Sequence, residues 1–154
     1  AGGGLGWWVG VGATALLLTG VAGAVTALGD TLFPATSLAA GLAQDASPTA
    51  HFLVRLRVIH PVIATLTFLY LTMMSALIGM QRPDPRVRRA AFVLVASMVV
   101  QMGAGLLNLA LLAPVWMQLV HLLLADVAWI ALVLLGAISL ASPRAGAVRE
   151  PAIA

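Results

Sequence analysis

Residues 90–141 read AAFVLVASMVVQMGAGLLNLALLAPVWMQLVHLLLADVAWIALVLLGAISLA, and within them only Asp126 carries a formal charge. The stretch divides at Ala113–Pro114 into two apolar runs, residues 90–112 and 116–141. Each exceeds the roughly 20 residues that a helix needs to cross the hydrocarbon core of a bilayer. Neither run alternates as a barrel strand would; both are apolar all round. In lipid the backbone must satisfy its own hydrogen bonds, so both are expected to be helices. Working outward, residues 5–28 and 52–80 meet the same test. The sequence therefore predicts an all-α integral membrane four-helix bundle, one domain over residues 1–154, with spans at about 5–28, 52–80, 90–112 and 116–141.

Composition agrees. Hydrophobic residues make up 62% of the chain and charged residues 8%, against roughly 25% charged in a soluble domain. The solvent around most of this surface is lipid. The net charge of +3 comes from eight Arg and no Lys. They flank apolar segments instead of forming a basic patch, so they do not indicate nucleic-acid binding. With no Cys, disulfides, thiolate metal sites and Cys nucleophiles are excluded. The chain opens on Ala1 and a glycine run, with no charged segment ahead of the first apolar stretch. No signal peptide is read there; the expectation is a piece of a longer or processed chain.

The connections set the orientation. Residues 81–89, QRPDPRVRR, form a short Pro-containing turn with four Arg, and the tail adds Arg144 and Arg149. Both belong on the cytoplasmic side by the positive-inside rule, which places the two termini there as well. The loop from Gly29 to His51, with Asp30 and Asp45, then lies outside, and its stretch LFPATSLAAGLAQ is suited to a short interfacial helix. Trp7, Trp8 and Trp116 stand near span ends as aromatic anchors. The pairs Gly6/Gly10 and Gly103/Gly105 allow close helix packing.

Two histidines lie within spans. His60 comes eight residues after Phe52 and His121 five after Trp116, about 12 Å and about 7 Å below the outer ends at 1.5 Å per residue. Both spans run inward, so the imidazoles occupy similar depths on parallel helices. Two neutral imidazoles facing across a bundle core are what a six-coordinate haem iron requires. Ala64 and Ala125, each four residues after its His, leave room for a porphyrin edge. Arg57, three residues before His60 and on nearly the same face, is placed to pair with a haem propionate. Arg55 points elsewhere, toward the headgroups. The competing reading is that each His is an interhelical hydrogen-bonding group. His51, at the loop–helix junction, reads as interfacial, with substrate or propionate contact as its lesser role.

Gln101, Gly105 and Asn108 share one face of the third span and are placed either to orient a ligand His or to glue helices together. Asp126, the only acid deep in a span, is a functional candidate by position or a neutral hydrogen-bonded group. The Met residues, including Met102 and Met117, read as packing, those two also being candidates for contact with a haem.

The stretches GAVTALGDTLFP (23–34), HFLVRLRVIHPVIA (51–64) and QMGAGLLNLALLAPVWMQLVHLLLADVAW (101–129) together resemble the haem A synthase family, and within it the C-terminal four-helix half. The resemblance covers roughly residues 20–140. Its most specific part is the Gln-x-x-x-Gly-x-x-Asn helix followed by a Pro turn and a His-bearing helix; the His60 motif is weaker, because Pro61 stands where the family often has Arg. The resemblance implies an eight-helix enzyme of two similar halves that oxidises haem O to haem A for cytochrome oxidase assembly. It implies a haem b ligated by His60 and His121, with these histidines as the iron ligands. It places the substrate haem and an outer-loop glutamate in the other half. The one Glu here is Glu150, so the catalytic residues are unknown and the chain is not expected to be active alone. Its partners would be the lipid bilayer and either the N-terminal half or a second copy, and its place the bacterial cytoplasmic membrane. A stand-alone bis-His membrane cytochrome b for electron transfer is the alternative, and a small transporter or assembly scaffold without haem is the third reading.

Overall fold

The computed structural model describes residues 3–142; Arg144, Arg149 and Glu150 lie outside them. The described chain is helical, with six helices in the order α1 (Gly3–Leu32), α2 (Leu38–Ala46), α3 (Phe52–Leu56), α4 (Ile59–Gln81), α5 (Pro85–Ala110) and α6 (Val115–Ala141). Four stretches are long and apolar enough to cross a membrane: Gly4–Leu32, Phe52–Gln81, Pro85–Ala110 and Val115–Ala141. The chain is a multi-pass membrane protein. The expected interfacial helix is present as α2, capped by Ser37, whose hydroxyl accepts from the Ala40 N–H at 3.1 Å.

The second span is one membrane crossing in two hydrogen-bonded pieces, α3 and α4. Pro61 is the cause. It has no N–H to give the carbonyl of Arg57, and its ring crowds that carbonyl. Arg57 and Val58 keep right-handed helical dihedrals, so the ladder is interrupted while the chain direction is retained.

The bundle closes in the cyclic order α1, α4, α5, α6, with α6 returning to α1. The helices that carry the histidines, α4 and α6, are therefore diagonal across the centre. The core is concentrated at the arginine-rich end. Leu71, Met74, Val87, Leu94, Leu132 and Leu135 are among its buried members. Close approach there needs glycine: a Cβ on Gly12 would lie 2.8 Å from Leu71, and one on Gly136 would lie 2.9 Å from Val9. The expected packing glycines differ. Gly6, Gly10 and Gly103 face open space, and only Gly105 of those four meets a neighbour. The i, i+4 spacing of Gly6 and Gly10 was real, but it lies on the outward face of α1.

Two turns fix the helix pairs. Between α4 and α5, Asp84 caps α5, accepting from the Arg86 N–H at 2.8 Å, and Pro85 occupies the first turn, where its missing N–H costs nothing. The Ser142 hydroxyl donates to the other Asp84 oxygen at 2.8 Å. These donors, the Arg86 N–H first, hold the Asp84 carboxyl below its ordinary pKa. Between α5 and α6, Leu112 and Ala113 take left-handed conformations, with φ of 61° and 52°. The Ala113 N–H then reaches back to the Asn108 carbonyl at 2.8 Å, and Gln118 donates to the Ala113 carbonyl at 2.6 Å. This turn sets α5 tightly against α6. Trp7, Trp8 and Trp116 are exposed near helix ends, as membrane anchors should be.

Candidate functional site

His60 stands in the first turn of α4, just past the Pro61-induced break, and His121 in the second turn of α6. Each imidazole rests on a glycine of the preceding long helix. A Cβ on Gly23 of α1 would lie 3.1 Å from His60 Cε1, and one on Gly105 of α5 would lie 3.1 Å from His121 Cε1. The absence of a side chain at those two positions is what gives the rings their places.

The half of the bundle around them is packed differently from the rest. On α4 the buried residues begin at Thr67, on α5 they end at Met98, and on α6, apart from Met117, they begin at Ala128. Ala64 and Ala125, one turn beyond each His, are half-buried. This half also gathers polar atoms that the described chain leaves unpaired. Of seven buried side-chain N or O atoms without a partner, five are here: Thr26 Oγ1, His60 Nδ1, Gln101 Oε1, Asn108 Oδ1 and His121 Nδ1. Buried polar groups are ordinarily hydrogen-bonded, so such a cluster marks a place built to receive something.

Gln101 takes the orienting position expected of it: its Nε2 lies 3.4 Å from His121 Nε2. Asn108 shares its face but makes no side-chain hydrogen bond to His121. Among the described residues no group of three or more His, Cys, Asp or Glu side chains could hold a metal ion. A protein-only metal centre is thus not formed there, whereas a porphyrin brings four of its own nitrogens and asks the chain for two. The two Nδ1 atoms left bare and the glycine-backed space fit that demand.

Arg57 is placed otherwise than a free propionate partner. Its side chain is 8% exposed and is shared among groups of the loop end. Nη1 donates to Asp30 at 2.9 Å and to the Phe33 carbonyl at 3.4 Å, Nε donates to Asp45 at 3.1 Å, and Nη2 donates to the Gln44 side-chain oxygen at 3.1 Å. It ties the end of α1 and the last turn of α2 to the break above His60. Close approach of α1 to α3 is allowed by Gly29, whose Cβ would lie 3.1 Å from the Leu53 carbonyl oxygen. His51 stands at the junction of the outer loop and α3. Its Nδ1 caps α3 by accepting from the Leu53 N–H at 3.3 Å, and its ring stacks on Phe33 with centroids 4.9 Å apart. Arg55 is exposed. Asp126 is exposed on α6 and does not face the histidines. Sequence reasoning missed Gly23. The signal was available, since Thr19 and Gly23 repeat the polar–glycine spacing of Gln101 and Gly105.

A groove of about 420 Å³ between α1 and α4, lined by Trp8, Tyr70, Met73 and Arg82 among others, lies at the arginine-rich end, away from both histidines.

Comparison with known proteins bears on this geometry. The chain is similar to two curated proteins named protohaem IX farnesyltransferase, from two strains of Thermus thermophilus. Each is 50% identical over 125 residues, which is 81% of this chain and 21% of the relative. The chain thus spans about one fifth of the length of the curated relatives it matches. No solved structure matches it. The family pattern that matches covers residues 1–133 and is described as cytochrome oxidase assembly protein. On that match, the chain belongs to the COX15-CtaA family of cytochrome oxidase assembly proteins.

Proposed function

We propose that the chain holds one haem b between His60 and His121, as the cofactor-binding part of a haem A synthase-like membrane oxidoreductase. The observation that carries this reading is the pair of imidazoles on diagonal helices, each backed by a glycine and each with a buried, unpartnered Nδ1. The family supplies the setting of oxidase assembly, and the relatives' name supplies a tetrapyrrole, protohaem IX, as the kind of molecule handled in their company.

In this reading the two histidines would hold the haem. Gly23 and Gly105 keep the rings in place, and Ala64 and Ala125 leave the porphyrin edges room. Gln101 holds the orientation of the His121 ring. A propionate would reach Arg57 only by exchanging with one of its carboxylate partners. Bound there, the haem would supply one-electron chemistry. Oxidation of haem O would then belong to the N-terminal half or to another partner chain. The arginine-rich end would face the cytoplasm of a bacterial cell and the His end the outside. The pair of histidines equally suits, as a second reading, a b-type cytochrome that only transfers electrons.

The test is a pyridine haemochrome assay on the purified chain expressed with ample haem. About one haem b per chain is expected, with near-complete loss in the His60→Ala/His121→Ala double variant. Equal haem content in the two proteins would contradict the proposal.

A further inference from the structure

At Gly12, α1 lies against α4 so closely that a Cβ would stand 2.8 Å from Leu71 and 3.4 Å from the Tyr70 ring. One turn nearer the arginine-rich end, the Tyr70 side chain stands between the two helices. Its hydroxyl donates to the Trp8 carbonyl at 2.8 Å, and its ring stacks on the Trp8 indole with centroids 6.2 Å apart. On its other side α1 stays with α6, where Val9 fills the place of a Gly136 side chain. Further along, a Cβ on Gly4 would meet nothing. The space so left between α1 and α4 is the groove of about 420 Å³, which closes at Trp8 and Tyr70 and ends at Gln81 and Arg82.

The groove is apolar along its length and cationic at its mouth. Met73 and Leu77 expose apolar side chains in it. At the deep end the Tyr70 hydroxyl has given its hydrogen to Trp8, which disfavours a ligand that carries hydrogen-bond acceptors inward, such as a quinone ring. At the mouth, Arg82 is half-buried and its Nη1 donates to the Ser142 carbonyl at 2.6 Å. Among the described residues no carboxylate pairs with it; both ion pairs involve Arg57. Arg86, Arg88 and Arg89 follow in the next turns, and the one carboxylate at this end, Asp84, accepts from the Arg86 N–H and the Ser142 hydroxyl. Twelve residues separate Tyr70 from Arg82, about 18 Å of helix. One leaflet of hydrocarbon is about 15 Å thick.

We propose that this groove binds one anionic phospholipid, with its phosphate at Arg82 and one acyl chain laid between α1 and α4 as far as the Trp8–Tyr70 stack. Charge selects the head: basic pockets between spans at the positively charged face of a membrane protein take anionic headgroups. Length selects the tail, since the groove runs the depth of one leaflet. The lipid fills the space that Tyr70 holds open and links α1, the least buried of the four spans, to α4. The proposal does not depend on what the histidines bind.

Native mass spectrometry of the purified full chain reads the site, in detergent supplied with phosphatidylglycerol or phosphatidylcholine of equal chain length. One phosphatidylglycerol retained per chain is expected, with phosphatidylcholine held roughly fivefold more weakly, the worth of one arginine near an anionic headgroup. Arg82→Gln is expected to erase that difference. Arg89→Gln, exposed on α5 and outside the groove, is expected to keep it. Leu77→Trp leaves Arg82 in place and is expected to lower retention of both lipids by filling the groove, with helix content by circular dichroism unchanged. Equal retention of the two lipids by the unaltered chain would overturn the proposal, and so would equal effects of the two arginine substitutions. Phosphatidylglycerol retention untouched by Leu77→Trp, or a quinone that displaces the phospholipid, would overturn it as well.

Discussion

Replacing Arg57 by leucine is expected to release α2 from the bundle and lower stability by about 3 kcal/mol. The guanidinium is nearly buried and serves two carboxylates, a side-chain amide and a backbone carbonyl at once. Removing it leaves Asp30 and Asp45 as uncompensated charges, each side chain only 20% exposed. Breaking one side of a buried ion pair costs more than the pair contributes when intact, because the remaining charge has lost its partner without regaining water. The figure belongs at the lower end of the range for buried pairs, since both carboxylates keep some access to solvent. Arg57→Lys should recover only part of the loss, because an ammonium cannot reproduce the planar fork that reaches Asp30, Asp45 and Gln44 together. Hydrogen exchange checks this: faster exchange over residues 33–50 in Arg57→Leu, with α5 and α6 unchanged, is the expected pattern. Uniform protection in both proteins would show that the loop is held by other contacts.

Gly105→Leu is expected to abolish haem retention while leaving the helices at least as stable as before, and Gly23→Leu to do the same from the other side. A Cβ at either position already stands 3.1 Å from an imidazole carbon, closer than ordinary van der Waals contact, so the ring must move. A longer side chain also fills space in the half of the bundle where α4, α5 and α6 bury no apolar side chain but Met117. The helix gains from losing glycine, by up to about 1 kcal/mol in intrinsic propensity. Stability and cofactor content should thus move in opposite or independent directions, which a general packing defect would not produce. The checks are the haem-to-protein ratio beside the thermal midpoint followed by circular dichroism. Full haem content in both variants would show that the glycines serve helix packing alone.

The spans were legible because four apolar runs leave the backbone no other option in lipid, and α2 was legible as an amphipathic stretch between turn residues. The interruption at Arg57 was written in Pro61, although a hydropathy pattern alone reads residues 52–80 as one helix. The partners of Arg57 were not legible. Asp30 and Asp45 are 27 and 12 residues away along the chain, and only the turn after α1 and the fold-back of α2 bring them together. Gln101 could be assigned to the His121 face because a short turn makes α5 and α6 antiparallel neighbours. Thr19 and Gly23 carry the same spacing, but which helix they meet was not legible, since a long loop separates α1 from α4 and leaves their register open. Glycine spacing misled at Gly6 and Gly10 because periodicity marks a face without saying which way the face points. The exposure of Asp126 was equally hidden, since its orientation depends on the rotation of α6 in the bundle.

The most direct measurement is the reduced-minus-oxidised optical spectrum of the purified full chain, recorded beside His60→Ala and His121→Ala made singly. Coordination by both histidines predicts a low-spin b-type spectrum in the unaltered protein and its loss in each single variant, because neither imidazole can fill both axial positions. A low-spin spectrum that survives either substitution would contradict the account, and so would an unaltered chain that takes up no haem when haem is plentiful.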